Sequence, residues 1–140
     1  MAENPPVAAR RPRPLSPHLT HYHWPITMAT SIIHRATGIA LSAGTLLIAW
    51  WLVATASGPE AFETFNQIAA TPLGQVVLFG FVWSLAYHLL AGIRYLFWDV
   101  GYGFTLGVAN AASTFILLFS VLIAVGVFVL VYFGKAGYFA

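Results

Sequence analysis

Three long runs of apolar residues, separated by short polar segments, make up most of the chain. They cover residues 27–56, 73–98 and 108–133. Each run is nearly continuous and lacks the strict alternation of apolar and polar residues that marks a barrel strand. A helix needs about 20 residues to cross the hydrocarbon core of a bilayer. The pattern therefore predicts an all-α membrane protein with three transmembrane helices.

The polar segment between the first two runs predicts a short helix at the membrane surface. Ser57 and Glu60 have the spacing of a capping box, which favours a helix start there. Thr71-Pro72 has the N-cap residue and the early proline that are typical of the start of the second long helix. The apolar side of the short helix would consist of Phe62, Phe65 and Ala69.

The composition agrees with a membrane protein. Hydrophobic residues make up 59% of the chain and charged residues only 7%, whereas soluble domains contain roughly a quarter charged residues. So few charges cannot cover a surface that faces water. The chain has no cysteine, which excludes disulfides, cysteine zinc sites and an iron–sulfur cluster held by this chain alone.

The polar start of the chain predicts a tail, residues 1–25, before an anchor domain, residues 26–140. The tail contains Arg10, Arg11 and Arg13 and shows no apolar stretch of a secretory signal peptide. The segment between the first two runs contains glutamates but no Lys or Arg. The positive-inside rule then predicts a cytoplasmic N-terminus. A start without an Arg- and Ser-rich presequence favours a bacterial inner membrane over a mitochondrial one.

A polar cluster, SIIHRATG at residues 31–38, lies just inside the first run. On a helix, Ser31, His34, Arg35 and Gly38 share one face. One interpretation is an arginine that reaches back to the headgroups, beside a hydroxyl bonded to its own helix. The other is a binding site for an anionic or carbonyl-bearing group, because a guanidinium suits carboxylates and a serine hydroxyl can donate to a carbonyl.

His88 is the second unusual residue. It lies eleven positions before Asp99 and thus about 16 Å from Asp99 along the second helix. It is either a histidine bonded to a neighbouring helix or a metal ligand, with haem iron favoured because no cysteine or carboxylate lies beside it. Gly92, one turn away, leaves room for a flat macrocycle. The antiparallel arrangement of the first two helices puts His34 and His88 at similar depth. The second axial ligand is then His34 or, as three helices enclose a haem poorly, a residue of a partner chain.

Two motifs carry a resemblance to a known family. The first is RPLSPH at residues 13–18, followed by SIIHRATG, and the second is HLLAGIRYLFWDVG at residues 88–101. In composition, order and spacing they resemble the cytochrome b membrane-anchor subunits of succinate dehydrogenase (respiratory complex II), over the tail and the first two helices. One position departs: many members have His directly after the Arg of GIR, where this chain has Tyr95.

The resemblance implies a haem b shared with a second small membrane subunit. His88 would be one axial ligand of the haem iron and the partner subunit would supply the other, with His34 and Arg35 beside the propionates. Ser31 and Arg35 would form the ubiquinone-reduction site. Trp24, Met28 and Ile32 would form the apolar wall of the pocket that Ser31 lines.

The resemblance also implies the partners and the reaction. A flavoprotein subunit would oxidise succinate, and an iron–sulfur subunit would carry the electrons to ubiquinone, which couples the tricarboxylic acid cycle to respiratory electron transport. Both would dock on the cytoplasmic side. The alternatives are a quinol:fumarate reductase anchor, a structural anchor without haem, and a small transporter. The last is disfavoured because the first and third runs show no polar stripe across the membrane.

Overall fold

Four helices form the structure. The computed structural model describes residue 18 and residues 22–137, with side chains up to residue 134, so the predicted tail and residues 13–17 of the first motif lie almost entirely outside the described residues. The helices are α1 (Ile26–Ser57), α2 (Pro59–Ala70), α3 (Pro72–Asp99) and α4 (Leu106–Gly137). Helices α1, α3 and α4 are long and apolar enough to cross a membrane. The predicted all-α fold with three apolar spans is confirmed.

The long helices extend past the apolar runs at both ends. Helix α1 has 32 residues and α3 has 28, which corresponds to about 48 and 42 Å at 1.5 Å per residue. The hydrocarbon core is only about 30 Å thick. The helices therefore project into the interface or tilt.

The short helix predicted between the first two spans is α2. Of the two N-caps predicted in this segment, one for α2 and one for α3, only that of α3 is correct. Thr71 caps α3, since its Oγ1 accepts a hydrogen bond from the Gly74 amide at 3.1 Å. The capping box at Ser57 is wrong. Ser57 is still part of α1 and donates to the Val53 carbonyl at 2.8 Å, and Gly58, with φ 109°, occupies the cap position of α2 instead.

Helix α3 lies between the other two spans and contacts both of them. The buried centre is small and is built around Tyr87, Ala91 and Ile116. Helix α2 folds back onto α1, where Phe65 is buried and meets the ring of Trp50 edge-on, with 4.8 Å between the ring centres. Most other large apolar side chains are exposed, so their surfaces face lipid or another chain.

Gly44 allows close contact between α1 and α3. A methyl group at Gly44 would overlap the ring of Phe81 on α3. Close approach at small residues is the usual basis of helix association in membranes, because lipid tails are as apolar as the side chains and packing must supply the energy.

We expect the Gly44→Ala substitution to destabilise the bundle. The added methyl group requires Phe81 or a helix to move, and such overpacking costs about 1–3 kcal/mol. The measurement is the melting temperature of the detergent-solubilised protein. Gly126→Ala on α4 is the matched control, because nothing lies within 4 Å of the added carbon. A Gly44→Ala protein as stable as the control would contradict this account of the contact.

Candidate functional site

A buried guanidinium joins the three spans. Arg94 on α3 is 6% exposed. Its Nη1 donates to the Ser113 hydroxyl of α4 at 2.6 Å and to the Thr30 hydroxyl of α1 at 3.3 Å. The guanidinium carbon lies 4.7 Å from the ring centre of Trp98, a cation–π arrangement. We call Thr30, Arg94 and Ser113 the guanidinium node.

The node places a positive charge where charge is costly. Its hydrogen bonds within the described chain go to two neutral hydroxyls, and Nε has no partner there. A charged residue at membrane depth persists where polar groups or aromatic rings solvate it. Sequence analysis assigned no role of this kind to Arg94. The available signal was a cation six residues after His88, within an apolar run.

A second set of hydroxyl contacts extends the polar interior of the bundle. The Tyr87 hydroxyl donates to the Thr30 carbonyl at 2.8 Å, and the Trp83 indole donates to Ser120 Oγ at 3.1 Å. Ser113 and Ser120 are fully buried on one face of α4. Seven residues correspond to about 10 Å of helix, so the two serines form a local polar contact and not a stripe across the membrane. Serine is small enough to be masked by the apolar residues around it in a hydropathy pattern.

The two membrane histidines meet between α1 and α3. The rings of His34 and His88 are stacked, with centres 4.0 Å apart and planes 16° apart. His88 Nδ1 lies 3.2 Å from the His34 carbonyl oxygen and 3.4 Å from Thr37 Oγ1. Gly38 makes room for this ring, since a Cβ there would lie 3.1 Å from His88 Cε1. The predicted common depth of the two histidines is thus observed.

The hydrogen bond of His88 determines which of its nitrogens is free. A carbonyl oxygen can only accept, so this contact assigns a proton to Nδ1, and in the neutral ring Nε2 then has the lone pair. Nε2 makes no hydrogen bond within the described chain, which is the state a metal ligand requires. In the stacked pair the ring lone pairs lie in nearly parallel planes instead of pointing at one another. This geometry favours a second axial ligand from another chain over His34.

His34 presents a different unsatisfied group. Its Nε2 is buried and has no hydrogen-bond partner among the described residues. Buried polar atoms are nearly always paired in folded proteins. The unpaired nitrogen therefore indicates a partner other than the described residues, and it can donate to an anion or accept from a donor, depending on its tautomer.

Ser31 differs from the other hydroxyl residues of α1. Thr30, Thr37 and Ser42 each donate to a carbonyl of the preceding turn, at 2.9 Å. Ser31 makes no such bond in the described structure. Its Oγ instead accepts a hydrogen bond from the Tyr95 hydroxyl of α3 at 3.4 Å. The hypothesis of a hydroxyl bonded to its own helix thus does not describe Ser31, and its proton remains available.

The structure brings together only part of the predicted site. Ser31, His34 and His88 share the contact between α1 and α3, together with Tyr95, which sequence analysis noted only as a departure from the family. The other candidates lie toward the outside of the bundle: Met28 is half-buried, whereas Trp24, Ile32 and Arg35 are exposed. Within this chain these side chains form an open surface on α1.

Comparison with known proteins gives a consistent result. The family model described as "Succinate dehydrogenase/Fumarate reductase transmembrane subunit" matches residues 9–128. The chain is 48% identical over 113 residues to the succinate dehydrogenase cytochrome b556 subunit of Paracoccus denitrificans, which covers 81% of this chain and 87% of that protein.

Two more distant relatives carry similar names. The cytochrome b556 subunit of Rickettsia prowazekii is 38% identical over 111 residues, covering 79% of this chain and 86% of that protein. The mitochondrial cytochrome b560 subunit of Sus scrofa is 41% identical over 119 residues, covering 81% of this chain and 69% of that protein.

We expect the Ser113→Ala substitution to lower the melting temperature of the protein. It removes the shortest hydrogen bond of a buried cation, and a bond to a charged group contributes about 1.5–3 kcal/mol. Thr114→Val is the matched control, because its neighbouring hydroxyl is exposed and donates only to the Asn110 carbonyl of its own helix. Equal effects of the two substitutions in a thermal unfolding experiment would show that the node contributes no stability.

Proposed function

Since this chain belongs to the family of succinate dehydrogenase/fumarate reductase transmembrane subunits, we propose that it is the haem b-binding membrane anchor of a succinate dehydrogenase and contributes to its ubiquinone-reduction site. The membership makes it a membrane subunit of an oxidoreductase complex. The observation that carries the finer proposal is the cluster at the contact of α1 and α3. There His88 of α3, with its Nε2 unbonded, stacks on His34 of α1, and Ser31 lies one turn before His34.

The residues present fit a haem. His88 has its Nδ1 proton bonded to a carbonyl and its Nε2 free, as an axial ligand of haem iron needs. His34 Nε2 is buried without a partner, which suits a propionate. Arg35, exposed on the same turn, supplies the positive charge for these carboxylates. A haem b held by these residues would supply one-electron redox chemistry, and a residue of the partner membrane subunit would provide a further ligand.

Ubiquinone is reduced at the cytoplasmic end of α1. The Ser31 hydroxyl donates to a quinone carbonyl, and the Arg35 guanidinium stabilises negative charge as electrons arrive. Trp24, Met28 and Ile32 form the apolar wall against which the ring lies. The quinone accepts two electrons and two protons to become a quinol. In the single chain Trp24, Ile32 and Arg35 are exposed and Met28 is half-buried, so the partner subunits complete the pocket.

The proposal also includes the partner subunits and the orientation of the chain in the membrane. A flavoprotein subunit oxidises succinate, an iron–sulfur subunit passes the electrons on, and a second small membrane subunit packs beside α1. The arginine-rich tail faces the cytoplasm, where the soluble subunits dock. The reaction then links the tricarboxylic acid cycle to respiratory electron transport in a bacterial inner membrane.

We expect His88→Leu to abolish or shift the b-type haem signal in a dithionite-reduced minus oxidised spectrum of the purified complex. The substitution removes the free imidazole nitrogen and keeps an apolar side chain of similar size. His23→Leu is the control, since that histidine is exposed before α1 begins. A wild-type complex without a haem spectrum would leave this chain as a structural anchor only, and an unchanged spectrum in His88→Leu would exclude His88 as the ligand.

We expect Ser31→Ala and Arg35→Ala to lower ubiquinone reduction by roughly tenfold to a hundredfold, the size of a lost hydrogen bond to a charged or developing charged group. Succinate oxidation with an artificial acceptor, which does not use this site, should remain near the wild-type rate. Ser42→Ala is the control on α1, because its exposed hydroxyl donates only to the Gly38 carbonyl. Equal losses of both activities would count against a quinone site here.

A further inference from the structure

Tyr95 lies on α3 and contacts the part of α1 that contains Ser31. It has no role in the function described so far. Its hydroxyl donates to Ser31 Oγ at 3.4 Å. A phenol is a stronger hydrogen-bond donor than an aliphatic hydroxyl, so the proton of this contact belongs to the tyrosine. Ser31 then accepts one hydrogen bond from its own protein and keeps its own proton for another acceptor.

The tyrosine ring is held on three sides. It lies 5.0 Å from the ring of His34 and 5.2 Å from that of Trp98, which it meets at 90°. The guanidinium carbon of Arg94 lies 5.6 Å from its centre. Because Arg94 is itself bonded to Ser113 and Thr30, the position of the phenol is connected to the packing of the whole bundle.

We propose that Tyr95 is a positioning residue of the quinone site, which fixes the rotamer and the proton direction of Ser31. This inference rests on the proposed function, since it assumes that Ser31 donates to the quinone. A free serine hydroxyl on a helix can turn and donate to a carbonyl of the preceding turn, as Thr30, Thr37 and Ser42 do. The Ser31 rotamer that accepts from Tyr95 makes no hydrogen bond to its own helix in the described structure. By favouring this rotamer, Tyr95 would keep the serine proton available to another acceptor.

Preorganisation of this kind has a definite kinetic consequence. A donor already oriented toward the place where charge develops needs no rearrangement during the reaction. Without the Tyr95 hydroxyl, Ser31 would stay in place. Its hydroxyl would then alternate between donating to the substrate and donating to a carbonyl of its own helix. The expected result is a partial loss of quinone reduction, smaller than that of removing Ser31 itself.

The test is a double-mutant cycle in the assembled complex with Tyr95→Phe, Ser31→Ala and both together. Tyr95→Phe keeps the ring and its contacts and removes only the hydroxyl. We expect it to lower kcat/KM for a short-chain ubiquinone roughly two- to tenfold, the worth of one neutral hydrogen bond. In the Ser31→Ala background the same change should have no further effect, because a positioning residue acts only through the residue that it positions.

Three controls separate the possible failures. Succinate oxidation with an artificial acceptor and the haem spectrum should be unchanged in Tyr95→Phe, since neither depends on this hydroxyl. Tyr102→Phe, the same change at a 70% exposed tyrosine just beyond α3, should match the wild type.

Three results would overturn the inference in different ways. Equal losses from Tyr95→Phe with and without Ser31 would mean that the tyrosine acts independently of the serine. Wild-type kinetics in Tyr95→Phe, together with a loss in Ser31→Ala, would overturn the positioning role alone. Wild-type kinetics in Ser31→Ala would overturn the quinone site itself, and the role of Tyr95 with it.

Discussion

The enclosed guanidinium of Arg94 is the constraint on which the arrangement of the three spans depends. A cation in a low-dielectric interior must be solvated by the groups around it, and here they come from every span: Thr30 on α1, Trp98 on α3 itself and Ser113 on α4. The hydrophobic effect does not bring helices together in a membrane, because lipid tails are as apolar as the side chains. A directional set of hydrogen bonds therefore specifies which helix faces meet.

This constraint reaches the candidate site through adjacent residues of α1. Thr30 is bound to Arg94, and a rotation of about 100° along the helix points Ser31 at Tyr95. One turn later His34 meets His88, and Gly38 allows that ring to come close. The node and the site thus share two turns of α1 and the same stretch of α3. A shift of α1 along α3 that broke the node would also separate Ser31 and His34 from their partners.

Several features of the bundle indicate that other molecules complete it. Its buried centre consists of few large side chains, and most of its apolar surface is exposed. The unsatisfied nitrogen of His34 and the exposed Arg35, Trp24 and Ile32 belong to one region of α1. The described residues thus leave both apolar area and a buried polar atom without partners. Such a bundle is suited to completion by other subunits and by bound ligands, which agrees with membership of a family of membrane subunits.

The sequence by itself determined the elements of this protein, because each depends on local patterns: the length of an apolar run for the three spans, Thr71-Pro72 for the start of α3, and the spacing of Ser31 and His34 for their common helix face. It also marked His88 as unusual. Only the tertiary structure decided that Arg94 is buried, that serines of α4 solvate it, that Ser57 does not cap α2, and that Tyr95 rather than the helix itself binds Ser31. These facts depend on which residues of different helices meet, and a hydropathy pattern contains no information about that. Small hydroxyl residues change the average polarity of a span very little, yet across a helix contact they determine how a charge is held.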